Sequence, residues 1–204
     1  MTFDDVLAGL PLVAVLRGVV PAEATDIAAA LHEAGFRCVE VTLNSPHPLA
    51  SIAAIRARFD GAMMVGAGTV PTPAEVHEAA AAGAQLIVSP NANPAVIAAT
   101  KAAGLASVPG VFTPSEAFAA LAAGADALKL FPAEATNPAT LKALLAVLPA
   151  GTSVLPVGGI EPATMASWRA AGAAGFGIGG ALFKPGRAPA EVGERARAFV
   201  AALR

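Results

Sequence analysis

The chain has 204 residues, 55% of them hydrophobic and only 14% charged, with a formal net charge of −2. A typical soluble domain carries roughly 25% charged residues, so this composition excludes disorder, which needs low hydrophobicity and high charge. The near-neutral balance, with no basic run and no aromatic stacking platform, leaves no electrostatic case for nucleic acid. No stretch of about 18 residues is apolar and free of charge, Pro and Gly, so no membrane span is expected. The single cysteine, Cys38, excludes an intrachain disulfide framework and a cysteine-built zinc site. The N-terminus carries Asp4 and Asp5 and lacks a basic segment followed by an apolar core. A cytoplasmic protein is therefore expected, with residues 1–204 forming one domain around one core.

In chain order, Thr2–Leu10 reads as an extra N-terminal helix, and short apolar runs then alternate with alanine-rich helical stretches. Strand Leu12–Arg17 precedes a helix near Ala22–Ala34, strand Cys38–Leu43 one near Pro46–Phe59, and strand Met63–Thr69 one near Pro73–Ala82. Strand Leu86–Pro90 leads to Pro94–Ala103, Ala106–Gly110 to Pro114–Ala123, and Ala127–Phe131 to Pro138–Leu148. Val154–Gly158 is followed by Pro162–Ala171, and Gly175–Gly179 by Pro189–Leu203. Punctuation supports these helices independently. Pro sits where a first helical turn starts, as in Thr72-Pro73, Asn93-Pro94, Thr113-Pro114 and Asn137-Pro138, where a fixed φ and a missing N–H cost little. Ala-Ala-Gly recurs at Gly83, Gly104, Gly124 and Gly172, where a helix stops and the chain returns to the sheet. Eight such units predict an α/β fold, a (β/α)₈ TIM barrel with an extra N-terminal helix at its bottom, with an open doubly wound sheet as the alternative. A Gly-x-Gly-x-x-Gly turn after the first strand is missing, which weakens the latter.

Chemistry in such a barrel belongs at the C-terminal strand ends. Lys129 interrupts the apolar run Ala127-Leu128-Lys129-Leu130-Phe131. Desolvation depresses a lysine pKa, as an imine-forming nucleophile needs; a lysine snorkelling from a strand end is the alternative. Strand alternation places Cys38, Glu40 and Thr42 on one face and Val39 and Val41 on the other, which points Glu40 inward as a proton donor and acceptor, or as a buried ion-pair partner of Arg17 or Lys129. Arg17 ends its strand as a clamp for carboxylate or phosphate. Thr69 ends the third strand behind Gly66-Ala67-Gly68. The pairs Gly158-Gly159 and Gly179-Gly180 end the seventh and eighth strands, where barrels cradle phosphate or simply pack backbone closely. His32, His47 and His77 have no partner at metal-ligand spacing, so neither a metal nor a cofactor is expected. Cys38 reads as core filler, and Lys101, Lys142 and Lys184 as surface lysines.

Together, Arg17-Gly18, Glu40-Val41-Thr42-Leu43-Asn44-Ser45-Pro46, Gly66-Ala67-Gly68-Thr69, Ser89-Pro90-Asn91, Pro109-Gly110, Leu128-Lys129-Leu130-Phe131-Pro132 and Val157-Gly158-Gly159 resemble the class I 2-keto-3-deoxy-6-phosphogluconate/galactonate aldolases. The resemblance runs from about Leu10 to the C-terminus and implies a metal-free, homotrimeric (β/α)₈ barrel. Asn44-Ser45-Pro46 and Val157 are similar to the galactonate branch, whereas Phe131-Pro132-Ala133-Glu134-Ala135 is similar to the gluconate branch. The serine that often helps to hold phosphate after the eighth strand is replaced by Gly180-Ala181.

The resemblance implies retro-aldol cleavage of a phosphorylated keto-deoxy sugar acid, 2-dehydro-3-deoxy-6-phosphogalactonate, to pyruvate and D-glyceraldehyde 3-phosphate. Lys129 would form the imine and Glu40 would move protons. Arg17 and Thr69 would hold the carboxylate, Phe131 would wall the imine, and Val157 would face the C4 hydroxyl. Gly158, Gly159, Gly179 and Gly180 would hold the phosphate. The alternatives are a gluconate-type or dual-epimer aldolase and, from another class, a phosphate-binding barrel epimerase.

Overall fold

The structure is a computed structural model and describes residues 1–203. Helices and parallel strands alternate after a short first helix, α1 (Phe3–Gly9), whose Thr2 and Asp5 cap it reciprocally. The following elements are β1 (Leu12–Leu16), α2 (Pro21–Glu33), β2 (Cys38–Thr42), α3 (Pro48–Arg58), β3 (Met64–Gly68) and α4 (Pro73–Ala81). Then come β4 (Leu86–Val88), α5 (Pro94–Ala102), β5 (Ala106–Val108), β6 (Gly110–Val111), α6 (Pro114–Ala122) and β7 (Leu128–Leu130). A 3-10 turn at Ala133–Ala135 leads to α7 (Pro138–Leu145), β8 (Val154–Pro156), α8 (Pro162–Ala170), β9 (Phe176–Ile178) and α9 (Pro189–Ala202).

Every helix from α2 to α9 begins on a proline, which pre-sets φ where the N–H has no intrahelical acceptor. The threonines and asparagines in front act as expected: Thr72, Asn93, Thr113 and Asn137 accept from the first turn of α4, α5, α6 and α7. The helix expected near Pro46–Phe59 starts later, since α3 begins at Pro48, with His47 left-handed in front of it. At the other ends Gly83, Gly104, Gly124 and Gly172 all take positive φ. At Gly83 the reversal lets its N–H reach Ala80 O and the next N–H reach Ala79 O, closing the last turn of α4.

The strands form two parallel ladders, one ordered β5-β4-β3-β2-β1-β9 and the other β6-β7-β8. The sequence predicts one strand at Ala106–Gly110 and the structure has two, because Pro109 has no N–H to give a ladder. The Pro109 carbonyl still accepts from Lys129 N at 2.9 Å, so β5 and β6 are one chain direction shared between two ladders. At the far ends, Val157 bridges Gly177 in parallel.

The apolar residues sort into two clusters according to strand face. Val39, Val41, Val65, Ala67 and Ile87 pack outward against the helices. Val13, Cys38, Met64, Leu86, Val108 and Leu155 pack inward with Phe3 and Val6 of α1. The curled parallel sheet is therefore buried on both faces, which accounts for the apolar composition.

Backbones approach closely where strands meet at Gly110, whose β-carbon, if present, would lie 2.5 Å from Pro90 O. Gly110→Ala is expected to cost about 1–3 kcal/mol of stability through this clash with main chain. Gly9→Ala at the end of α1, where nothing lies within 4 Å, is expected to be neutral or to stabilise by up to about 1 kcal/mol. Urea unfolding of the two variants checks the contrast.

Candidate active site

The ladder register fixes where the two buried charged side chains stand. Glu40 on β2 is paired between Val15 of β1 and Gly66 of β3. Lys129 on β7 is paired between Gly110 of β6 and Leu155 of β8. Their ladder partners are apolar, and the two residues are only 1% and 5% exposed. This removes the snorkelling alternative for Lys129. Room for the Glu40 carboxylate comes from Gly68, where a β-carbon would fall 2.6 Å from Oε2.

Neither charge is neutralised by contact. Among the described residues, no ion pair includes Glu40, Lys129 or Arg17; the pairs lie elsewhere, at Arg56–Asp60, Arg58–Asp26, Lys101–Asp126 and Glu191 with Arg187 and Arg195. The buried ion pair that the sequence left open for Glu40 is thus not formed. Glu40 Oε2 has no hydrogen-bond partner either. Burial pushes the Glu40 carboxyl up to about 7, against the pull of Lys129 and, less, of Arg17. Burial pushes the Lys129 ammonium down, opposed by Glu40 and helped by Arg17. Lys129 Nζ lies 4.6 Å from the centroid of the Phe131 ring, which walls it on one side. Cys38 shares this interior, but burial and then Glu40 push its thiol up, leaving it a poor nucleophile, as its reading as core filler expects.

A cavity of about 800 Å³ opens above Lys129. It brings together most of the residues singled out in the sequence: Arg17, Phe131, Val157 and the pairs Gly158-Gly159 and Gly179-Gly180 line it with Lys129. Glu40 is not on that wall. It lines a void of about 10 Å³ beneath, which shares Val15, Lys129 and Val157 with the cavity. Thr69 lines neither. It follows Gly68 with φ +57, a left-handed conformation that a β-branched residue holds only under constraint.

Two serines supply constraint at these turns. Gly18 N donates to Ser45 Oγ at 2.8 Å, and Ser45 Oγ also meets Thr42 Oγ1 at 3.0 Å, tying the Arg17-Gly18 turn to the end of β2. Ser89 Oγ donates to Val70 O at 2.8 Å, tying the Thr69-Val70 turn to the end of β4. Sequence reasoning assigned neither serine a role, although both stand in segments that carry the resemblance, Ser45 past the second expected strand and Ser89 inside the fourth. It read Lys184 as surface, and Lys184 is exposed, standing where the cavity opens.

The family model for KDPG and KHG aldolase matches residues 3–191. The chain belongs to this aldolase family. A protein of Rhizobium meliloti (strain 1021) named probable 2-dehydro-3-deoxy-6-phosphogalactonate aldolase is 45% identical over 192 residues, 94% of this chain and 91% of its own length. The 2-dehydro-3-deoxy-6-phosphogalactonate aldolase of Escherichia coli (strain K12) is 45% identical over 195 residues, 96% of this chain and 95% of its own. A solved structure described as native KDPGal superposes with a TM-score of 0.94 at 45% identity, covering 95% of this chain and 94% of that one.

In this aldolase the interior carboxyl titrates near neutrality because it is dry, and that has a thermodynamic signature. Its folded pKa lies above the ordinary 4.5, so between pH 4.5 and 7 the folded state binds more protons than the unfolded one. The Glu40 contribution to stability therefore falls as pH rises through this window. Glu40→Gln is expected to gain on the natural protein by on the order of 3 kcal/mol between pH 4.5 and 8, read as the pH dependence of the difference in unfolding free energy. A pH-independent difference would show that Glu40 titrates normally.

Proposed function

We propose that this aldolase is a carbon–carbon lyase that cleaves 2-dehydro-3-deoxy-6-phosphogalactonate to pyruvate and D-glyceraldehyde 3-phosphate through an imine on Lys129. The observation that carries this reading is a single lysine, buried, free of ion pairing and held below its ordinary pKa, at the inner end of a cavity of about 800 Å³. The names of the two relatives at 45% identity support the substrate.

The neutral Lys129 amine attacks the C2 ketone; loss of water leaves an iminium, whose positive charge accepts the electrons of the C3–C4 bond. Glu40, acting through one water, takes the proton of the C4 hydroxyl as that bond breaks and the aldehyde leaves. It returns a proton to C3 of the enamine, and water then releases pyruvate and restores the amine. A carboxyl with a pKa near 7 suits both directions of transfer. Arg17, on the cavity wall and braced through Ser45, holds the carboxylate of the keto acid, whereas Thr69, braced through Ser89, stands off the cavity lining. Phe131 covers the imine. Val157, a cavity-wall residue, meets the C4 hydroxyl without a hydrogen-bonding group, and the glycine pairs take the phosphate on backbone N–H groups.

The same reading makes residues 1–204 one domain in which the two ladders close as a (β/α)₈ barrel. Support comes from the Pro109 carbonyl bond on one side, the Val157–Gly177 bridge on the other, and α1 buried against the interior cluster below. It also makes the enzyme a homotrimer of the cytoplasm. Phe112 and Phe118, large apolar side chains nearly half exposed near and on α6, favour self-association.

Borohydride reduction with pyruvate is expected to leave a reduced pyruvyl adduct on Lys129, located by peptide mapping. Lys129→Ala is expected to lose cleavage by at least about 10³-fold. A folded, pyruvate-saturated protein without adduct would point instead to a phosphate-binding epimerase. Val157→Thr, by supplying a hydroxyl, is expected to shift the ratio of kcat/KM for the two C4 epimers toward the gluconate type by about 10-fold. Parallel assays on both epimers measure it.

A further inference from the structure

Deepening the reading of this site as a phosphosugar aldolase, and resting on it, we propose that Lys184 is a substrate-binding residue. It supplies the positive charge that neutralises the phosphate group, in place of the hydroxyl missing at Gly180.

The cavity carries carboxylates as well as cations. Glu134 leans over the first glycine pair, its Oε2 2.9 Å from where a β-carbon of Gly158 would stand, and Glu161 lines the same wall. A phosphate group brings about −1.5 to −2 charges at neutral pH, so this end of the cavity needs a cation that is free to face it.

Two of the three cations beside Gly180 are already engaged. Arg187 donates to the carbonyls of Gly180, Ala181 and Leu182 and pairs with Glu191 at 3.1 Å. Arg195 shares Glu191 at 3.0 Å and donates to Ala181 O. They shape the loop after β9 and spend their charge on Glu191. Lys184 is exposed and has no ion-pair or hydrogen-bond partner among the described residues, and its shaft runs beside the second glycine pair. Its Cε lies 3.5 Å from the β-carbon position of Gly180, and the next residue, Pro185, packs against Gly18. Lys184 thus stands on the cavity wall, near both the Arg17-Gly18 turn and the second glycine pair. A lysine serves as a point charge for phosphate without the fixed geometry of a guanidinium. Gly180, having no side chain, adds none of its own beside the Lys184 shaft.

The test compares three substrates in the full-length enzyme and Lys184→Met. KM for the phosphorylated keto-deoxy acid is expected to rise about 10- to 100-fold. Cleavage of the same acid lacking the phosphate, and the pyruvate concentration that half-saturates borohydride trapping on Lys129, are expected to stay within about twofold. Lys184→Arg is expected to recover most of the phosphorylated KM. Equal losses with the phosphorylated and unphosphorylated acids would overturn the proposal in favour of a structural role, as would an unchanged KM for the phosphorylated one. Absence of pyruvate trapping in the natural enzyme would instead sink the imine reading, and is seen separately from either result.

Discussion

The structure is organised around two ionisable groups held in an apolar interior without touching each other or anything else of opposite charge. A buried ion pair would fix both groups in their charged forms. Holding Glu40 and Lys129 apart leaves desolvation in command, so that each drifts toward neutrality and each is able to exchange a proton or an electron pair with a guest. Much of the strand architecture serves this separation: Gly68 makes room for one carboxylate, the register puts Gly110 and Leu155 beside the lysine, and α1 closes the bottom of the cluster with Phe3 and Val6. The cost of two buried ionisable groups is carried by a sheet that is apolar on both faces.

Function is divided by depth. The lysine sits at the junction between a narrow lower void, which holds the proton-moving carboxyl, and a wide upper cavity, which holds the binding groups. Substrate entering from above reaches the amine before the carboxyl. The wide part is built from turns that follow strand ends. A serine hydroxyl ties the Arg17-Gly18 turn to the end of β2, and Arg187 with Arg195 of α9 holds the loop after β9. Ser89 ties the neighbouring Thr69-Val70 turn. Strain at Thr69 is therefore held locally, by a neighbour in the ladder.

The helices were legible in the sequence because prolines, capping side chains and Ala-Ala-Gly signals act within a few residues, and local chemistry needs no tertiary context. Strand faces were legible for a similar reason: alternation alone turned Glu40 inward and Val39 and Val41 outward. The division of the fifth expected strand at Pro109 was less visible, since whether a missing N–H breaks a ladder depends on which partner lies alongside. Long-range relations were beyond reach. That Glu40 stands clear of any ion pair, that Ser45 meets Gly18 across 27 residues, and that Lys184 faces a cavity while Arg187 and Arg195 turn to Glu191 are outcomes of folding, with no local signature to read.

The lone thiol gains an unplanned use from its position. Cys38 is paired with Val13 and Met64 in the middle of the inner cluster, on the same strand face as Glu40 and two residues away from it. No alkylating reagent can reach that sulfur unless β2 parts from its neighbours. The rate at which a maleimide labels the native protein is thus a built-in clock for the opening of the strand that carries the carboxyl. It reports how often the dry interior, on which both shifted protons depend, is briefly wet.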